Sequence, residues 1–505
     1  MNVDRLGTVL LLSSVVLLVS VAAVRLSVRS GLPSLLIYIG IGLLIGERGL
    51  GLRFDNAELT GVLGYAALVV ILTEGGLTTR WSTIRPTVAP AAVLATVGTC
   101  ISIAIAGAAA HWIVGLNWRL ALLLGATVSS TDAAAVFSVL RQVPLPARLV
   151  GLLEAESGFN DAPAVIAVVA LTSQALGKAG APWWLLALEA AGELVVGAAI
   201  GVAIGRLGVI GLRRVVLPAS GLYPITVLAL AAGAYGAAAT LHGSGFLATY
   251  LACLVLGNAR LPYGAAVRSF AEGTGWMAQI GLFVLLGLLA DPARLPRHVL
   301  PAVAVGLVLL VLARPVSLLL TVSWFGVGWR EQAFLAWAGL RGAVPIVLAT
   351  IPLSQGVRGS EQIFDLVFVL VVVYLVVQAP TLPTVARWLG VGSDVVAVDL
   401  DVDSSPLGAL DADVIHVRIG PTSRLHGVEL FELRLPSRAN VTLVMRSGEA
   451  FVPGPHTTLQ HGDDLIVVAA APVRDAAESR LRAVSTGGRL AGWRPGAGLR
   501  RARGS

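Results

Sequence analysis

The chain has 505 residues, of which 56% are hydrophobic and only 13% charged, with a mean hydropathy of +0.84; an ordinary globular protein is about 25% charged. That balance excludes an ordinary soluble domain and points to a polytopic membrane protein. The net charge of +7 follows from basic residues in short loops and calls for no nucleic-acid partner.

A membrane-spanning helix needs roughly 20 mostly apolar residues, and about thirteen stretches qualify. In chain order they cover 7–25, 31–49, 59–77, 87–112, 118–140, 148–176, 183–205, 222–241, 244–258, 269–290, 299–325, 331–354 and 361–387. The first is long enough to span and lacks a small-residue cleavage site, which predicts a retained helix and not a signal peptide. Loops after odd-numbered stretches carry twelve Lys or Arg residues and those after even-numbered stretches seven. Basic residues stay on the cytoplasmic side, so the N-terminus is expected outside and the C-terminus inside. Cys100 and Cys253 fall within spans and have neither disulfide nor metal-site spacing.

An ionised side chain near the bilayer centre costs about 2.5 to 3.5 kcal/mol on insertion scales, so each is paired, protonated or wet. Glu74 ends the third span in "ILTEGGL"; Asp132 interrupts the fifth in "SSTDAAAV"; Glu154, Glu156 and Asp161 occupy the sixth in "EAESGFNDAP". The bases are fewer: Arg314 in "VLARPVSLLL" and Arg341 in "GLRGAVP". Residues one helical turn apart share a face. Glu154, Ser157 and Asp161 therefore make one polar stripe, and Glu156 and Asn160 an adjoining one. Asp161 is the deeper acid and reads as part of an ion or proton path, whereas Glu154 reads equally well as a solvated helix end.

Spans five and twelve are broken in their middles, by Ser129, Ser130, Thr131 and Asp132 in one and by Gly339, Arg341, Gly342 and Pro345 in the other. The breaks occupy matching places in two six-helix halves related as inverted repeats with span seven as linker, and such a pair is a pointer to a transporter's binding site. Free carbonyls at the breaks can ligand a cation, and Asp132 and Arg341 are placed to compensate the opposed half-helix dipoles.

Beyond residue 390 the character changes. Residues 391–412 are an acidic linker; 413–485 alternate as a small soluble α/β domain; 486–505 form a basic disordered tail. "VIHVRI", "VTLVM" and "DLIVVAA" read as strands and "PVRDAAESRLRAV" as a closing helix.

Four motifs, "LTEGGL", "SSTDAAAVFSVL", "ESGFNDAPAV" and "GLRGAVPIVLA", together resemble the NhaP-type monovalent cation:proton antiporters, particularly their potassium/proton branch, over essentially all of residues 1–390. The resemblance implies thirteen spans, crossed discontinuous helices 5 and 12, a homodimer and alternating access. It assigns the cation or proton to Asp161, beside Asn160. Thr131 and Ser157 become cation ligands with Asp161, Asp132 acts on charge and hydration, and Glu74 stands near the cation. Glu156 becomes the ion-pair partner of Arg314, with Arg341 as the other candidate. Burial disfavours a carboxylate's charged form and an adjacent cation favours it, so proton and K⁺ or Na⁺ compete at Asp161. With Glu156 neutralised, one charge is left to exchange, which suggests electroneutral antiport without a cofactor and without enzymatic chemistry. The Arg-heavy, almost Lys-free composition suggests a GC-rich bacterial source, and inner-membrane placement follows from the fold.

"LHGVELFELRLPSRANVTLVMRSGEAFVPGPHTTLQHGDDLIVVAA" resembles the C-terminal half of RCK (TrkA-type) regulatory domains. The Gly-rich dinucleotide fingerprint is missing, so NAD binding is not expected. A small-molecule sensor, such as one for a cyclic dinucleotide, and a dimerising clip are its two readings. A Na⁺-selective antiporter and an RCK-regulated K⁺ channel or uptake system stand as alternatives, although no T-V-G-Y-G filter occurs. "HGSG", His242 to Gly245, hints at a serine hydrolase, but its spacing favours a turn.

Overall fold

The structure is a computed structural model that describes residues 3–30, 33–47, 49–51, 54, 56–132, 135–136, 145–177, 182–391, 402–406, 412–421 and 423–488. Residues 1–262 and 266–392 form one compact unit, and the C-terminal strands and closing helix belong to a second.

The apolar stretches fold as helices: α1 Val3–Ser30, α2 Ser34–Ile45, α3 Ala57–Thr78, α4 Trp81–Val114, α5 Trp118–Thr127, α6 Ala147–Ala175 and α7 Trp183–Arg214. They continue as α8 Leu222–Thr240, α9 Gly245–Gly257, α10 Gly264–Leu289, α11 Leu295–Thr321, α12 Trp329–Trp337, α13 Ala343–Ser354 and α14 Ser360–Leu389. Among the described residues seven of these, α3, α4, α7, α8, α10, α11 and α14, are long and apolar enough to cross a membrane. α6 is equally long but carries the acidic stripes. Asn56, Asn117 and Ser244 start α3, α5 and α9 by accepting hydrogen bonds from the backbone N–H of Leu59, Leu120 and Leu247, satisfying donors that a helix end otherwise leaves unpaired. His242–Gly245 is thus the turn between α8 and α9, as its spacing suggested.

Burial separates inner from outer helices. Ile346 to Ala349 of α13 and Ile363, Phe364, Phe368 and Leu375 of α14 are enclosed, whereas Leu10, Leu11 and Leu18 of α1 and Val195 and Leu207 of α7 are exposed. In a chain this apolar, such exposed leucine and valine are the surface that lipid solvates.

The second unit is a five-stranded antiparallel sheet in the order β1-β2-β5-β3-β4, built from β1 Val402–Pro406, β2 Ala412–Arg418, β3 Ala439–Arg446, β4 Glu449–Phe451 and β5 Asp464–Ala470. β1 begins inside the stretch read as acidic linker, where Ser404 pairs with Ile415 and Val402 with Val417. Most of the basic tail lies outside the described residues. α15, Arg474–Gly487, buries Ala477, Leu481 and Val484 with Ile415, Val417, Leu465 and Val467. The turn into β5 is fixed by Asp463, whose buried carboxylate accepts two 2.8 Å bonds from Arg446 and one from the Gln460 N–H.

Losing charge-assisted hydrogen bonds of this kind costs about 1.5 to 3 kcal/mol. Asp463→Asn is therefore expected to speed hydrogen exchange of β3 and β5 amides in the full-length protein. Arg482→Gln, which removes an exposed one-turn pair with Glu478, should shift them by less than about 0.5 kcal/mol. Equal shifts from the two substitutions would contradict this assignment.

Candidate functional site

Two helix interruptions meet at the centre of the helical unit. α5 ends at Thr127 and the chain from Val128 to Asp132 is non-helical; α12 ends at Trp337 and Ala338–Gly342 is non-helical before α13 begins. The segments cross in contact, with the Asp132 N–H donating to the Leu340 carbonyl at 2.9 Å. Arg341 donates from Nη1 to the Ser129 carbonyl at 2.6 Å and to the Ser130 carbonyl. A cation thereby sits where the α5 half-helix leaves its negative dipole end. The Asp132 Oδ1 accepts from the Ala135 N–H at 3.2 Å, placing a carboxylate at the start of the helical residues beyond the break. A Cβ at Gly342 would fall 1.8 Å from Asp132 Oδ2, so this crossing has no room for a side chain there.

α6 passes alongside. Glu156 and Arg314 are 2% and 5% exposed and form a two-pronged pair, Nη1 to Oε1 at 2.5 Å and Nη2 to Oε2 at 2.8 Å. The guanidinium is presented by a widened π-helical turn, Leu309–Ala313, immediately before Arg314; such turns redirect a helix face. One turn on, the Ser317 hydroxyl donates to the Gly98 carbonyl at 3.0 Å and lies 3.0 Å from the Ser102 hydroxyl, which ties α11 to α4.

The remaining polar residues share this network. Asn160 Nδ2 donates to Thr131 Oγ1 at 2.6 Å, Thr131 Oγ1 lies 3.4 Å from Glu156 Oε1, and Ser157 Oγ donates to the Thr131 carbonyl at 3.1 Å. Asp161, 7% exposed, accepts from Ser130 Oγ at 2.5 Å. Among the described residues its partner is thus a hydroxyl, whereas that of Glu156 is a guanidinium. Thr131, Asp132, Ser157 and Asp161 also border a cavity of about 200 Å³, closed on its other sides by Glu74 and Thr78 of α3, Glu154 and Gly158 of α6, Tyr250 of α9, Gln279 of α10 and Val344 of α13. The structure therefore brings Glu74, Thr131, Asp132, Ser157 and Asp161 to one cavity, and sets Asn160, Glu156, Arg314 and Arg341 in the network behind it.

Sequence reasoning used Ser130 only as a helix breaker, and passed over Tyr250 and Gln279. The signal for Gln279 was available, a lone amide in the apolar run "MAQIGL". No spacing rule reaches Tyr250, which comes to α6 from α9.

The profile of the family described as "Sodium/hydrogen exchanger, transmembrane" matches residues 14–388, and that of the TrkA-C domain matches residues 414–482. The chain is 36% identical over 473 residues to the K(+)/H(+) antiporter NhaP of Alkalimonas amylolytica, covering 92% of this chain and 82% of that protein. It is 34% identical over 481 residues to the K(+)/H(+) antiporter NhaP2 of Shewanella oneidensis, covering 93% and 82%. The Na(+)/H(+) antiporter ApNhaP of Aphanothece halophytica is 30% identical over 374 residues, 68% of this chain and 69% of its own. The solved structure of the sodium proton antiporter MjNhaP1 from Methanocaldococcus jannaschii at pH 8 has the same fold at a TM-score of 0.66 and 20% identity, covering 76% of this chain and 99% of that one.

Removing one partner of a buried ion pair costs about 3 to 5 kcal/mol, while replacing both is far milder. Glu156→Gln and Arg314→Met are each expected to lower thermal stability, and the double variant to recover part of the loss. Strictly additive losses in that cycle would mean that the pair carries no coupling energy.

Proposed function

The chain belongs to the sodium/hydrogen exchanger family, and from that premise we propose that it exchanges a monovalent cation for a proton across the bacterial inner membrane, one for one, with K⁺ as the favoured cation. The observation that carries this reading is the unequal treatment of two buried acids on α6. Glu156 is neutralised by Arg314, while Asp161 faces the cavity with a hydroxyl partner. One carboxylate is then left to bind a cation or a proton, and binding one expels the other.

Ser157, the Thr131 carbonyl, Asp132 and Glu74 supply oxygen around Asp161. Asn160 holds Thr131, and Arg341 with Asp132 balances the half-helix dipoles at the crossing. No cofactor enters, because the transported ions are the only reactants, and the chain acts as a transporter and not as an enzyme. Support for K⁺ comes from the relatives named as K(+)/H(+) antiporters, which match more than nine-tenths of this chain. Na⁺ is the second reading, favoured by the relative named as a Na(+)/H(+) antiporter.

In this account residues 1–390 hold thirteen spans, with α5 and α12–α13 as the broken members of two inverted repeats. They work as a homodimer by alternating access, with the N-terminus outside. Residues 413–485 act from the cytoplasm, either as a small-ligand sensor or as a dimerising clip, and bias the states of the transport unit through differential contacts.

Asp161→Asn is expected to abolish cation-driven collapse of an imposed ΔpH in proteoliposomes while leaving the protein folded. Wild-type dissipation by the folded variant would overturn the assignment. Truncation after Gly390 should leave exchange in place and change its dependence on pH or cation concentration. Profiles that superimpose on full-length protein would make the module a passive appendage, and loss of transport from a folded truncation would make it part of the pathway.

A further inference from the structure

The cavity beside Asp161 extends to groups that the exchange site does not use. Along α6 it is bordered by Asp161, Gly158, Ser157 and Glu154, a stripe about 10 Å long at 1.5 Å per residue. Glu154 stands two turns inside the N-terminal end of α6 and is half-buried, whereas Asp161 is two turns deeper and buried. Opposite this stripe stands Tyr250, only 2% exposed, whose ring is held edge-on by Phe159 at 5.8 Å. The ring rests on Gly158, where a Cβ would fall 2.4 Å from it. That packing explains the ring and not the hydroxyl. Tyr250 lines the cavity, but its buried hydroxyl makes no hydrogen bond of normal geometry among the described residues; the Thr79 side chain is its loose hydrogen-bond partner, and Glu154 lies within electrostatic range. A buried hydroxyl with so loose a partner is poorly satisfied, and a phenylalanine would fill the same space.

We propose that Glu154 and Tyr250 form a second station for a partly hydrated monovalent cation, on the α6 N-terminal side of Asp161, which takes the ion before it reaches the exchange site. The station has the oxygen chemistry that hard cations select: a carboxylate, a phenolic hydroxyl and the Thr79 hydroxyl beside it, with the Gln279 amide and Glu74 on the opposing walls. The cavity of about 200 Å³ is well above the ~10–15 Å³ that admits one water, so the ion need not shed its whole shell at this step. Arg80 is the cationic side chain that acts on Glu154; it is exposed in the short connection between α3 and α4. It leaves the carboxylate able to attract an ion without being locked in a buried pair such as Glu156–Arg314. A station of this kind raises the local cation concentration next to Asp161 and splits dehydration into two smaller steps.

The proposal rests on the cation:proton antiport reading, and two measurements separate their failures. In full-length protein in proteoliposomes, Glu154→Gln and Tyr250→Phe should each raise the K⁺ or Na⁺ concentration for half-maximal exchange about three- to tenfold, with a smaller fall in maximal rate. Tyr250→Phe, which only removes the loosely bonded hydroxyl, should keep a thermal midpoint close to that of the parent. Half-saturation unchanged in both folded variants would overturn the station, as would a loss confined to maximal rate. The second measurement does not depend on transport. Crystals of the Asp161→Asn protein soaked in thallium should show an anomalous peak beside Glu154 and the Tyr250 hydroxyl that disappears in Asp161→Asn/Glu154→Gln. A peak there, together with parent protein that shows no cation-driven collapse of an imposed ΔpH, would leave the station standing and the antiport reading fallen; no peak beside Glu154 and Tyr250 would overturn the station itself.

Discussion

The buried pair between Glu156 and Arg314 sets the terms for the rest of the transport unit. Two charges removed from water interact strongly, but their mutual attraction offsets the loss of solvation only when geometry is good and the remaining polar atoms are satisfied. The first condition shapes the neighbourhood and the second is met only in part, since the buried Arg314 Nε makes no hydrogen bond among the described residues. The guanidinium reaches Glu156 through two short bonds because a π-turn ends just before Arg314, and α11 is tied to α4 through Ser317. On the other side Thr131 lies between Glu156 and Asn160, which draws the broken segment after α5 onto α6. The pair thus ties α6 to α11, with α4 and the segment after α5 held beside them, and leaves Glu156 with a cationic partner. Asp161, one turn beyond, keeps only a hydroxyl partner among the described residues, and an acid in that condition can pass between proton and cation.

Much of this was visible in the sequence, for a physical reason. Charge is expensive in an apolar span, so Asp132, Glu156, Asp161, Arg314 and Arg341 stand out against their neighbours, and helix periodicity places Glu154, Ser157 and Asp161 on one face. The interruptions were equally legible, because serine, threonine and aspartate in one span and glycine, arginine and glycine in the other are residues of helix ends. What could not be read is contact between elements far apart in the chain. Choosing between Arg314 and Arg341 as the partner of Glu156 required the actual path of α11, and Arg341 instead serves the Ser129 and Ser130 carbonyls. Ser130 bonding Asp161 and Tyr250 closing the cavity are of the same kind. In the C-terminal unit the long alternating strands were plain, whereas β4 is three residues long and β1 lies in a run whose acidity masks its pairing with β2.

The C-terminal unit is built on different terms. Its sheet and α15 enclose a conventional apolar core, and Asp463, the one deeply buried acid among its described residues, is spent on turn geometry with Arg446. Nothing in that arrangement resembles the exchange chemistry of the helical unit. A regulatory module needs only to favour one state of the transporter over another, and it can do so through a few contacts that differ between them.

The central claim is that a single carboxylate holds either a proton or a cation. Competition of that kind has a definite signature in the dependence of exchange on both ions. Initial rates of cation/proton exchange should be measured in proteoliposomes across cation concentration at a series of pH values on the cation-binding side. The account predicts that the half-saturating cation concentration rises as pH falls, approaching tenfold per unit in the proton-saturated range, while the rate at saturating cation stays nearly constant. A maximal rate that falls with pH at an unchanged half-saturating concentration would contradict it.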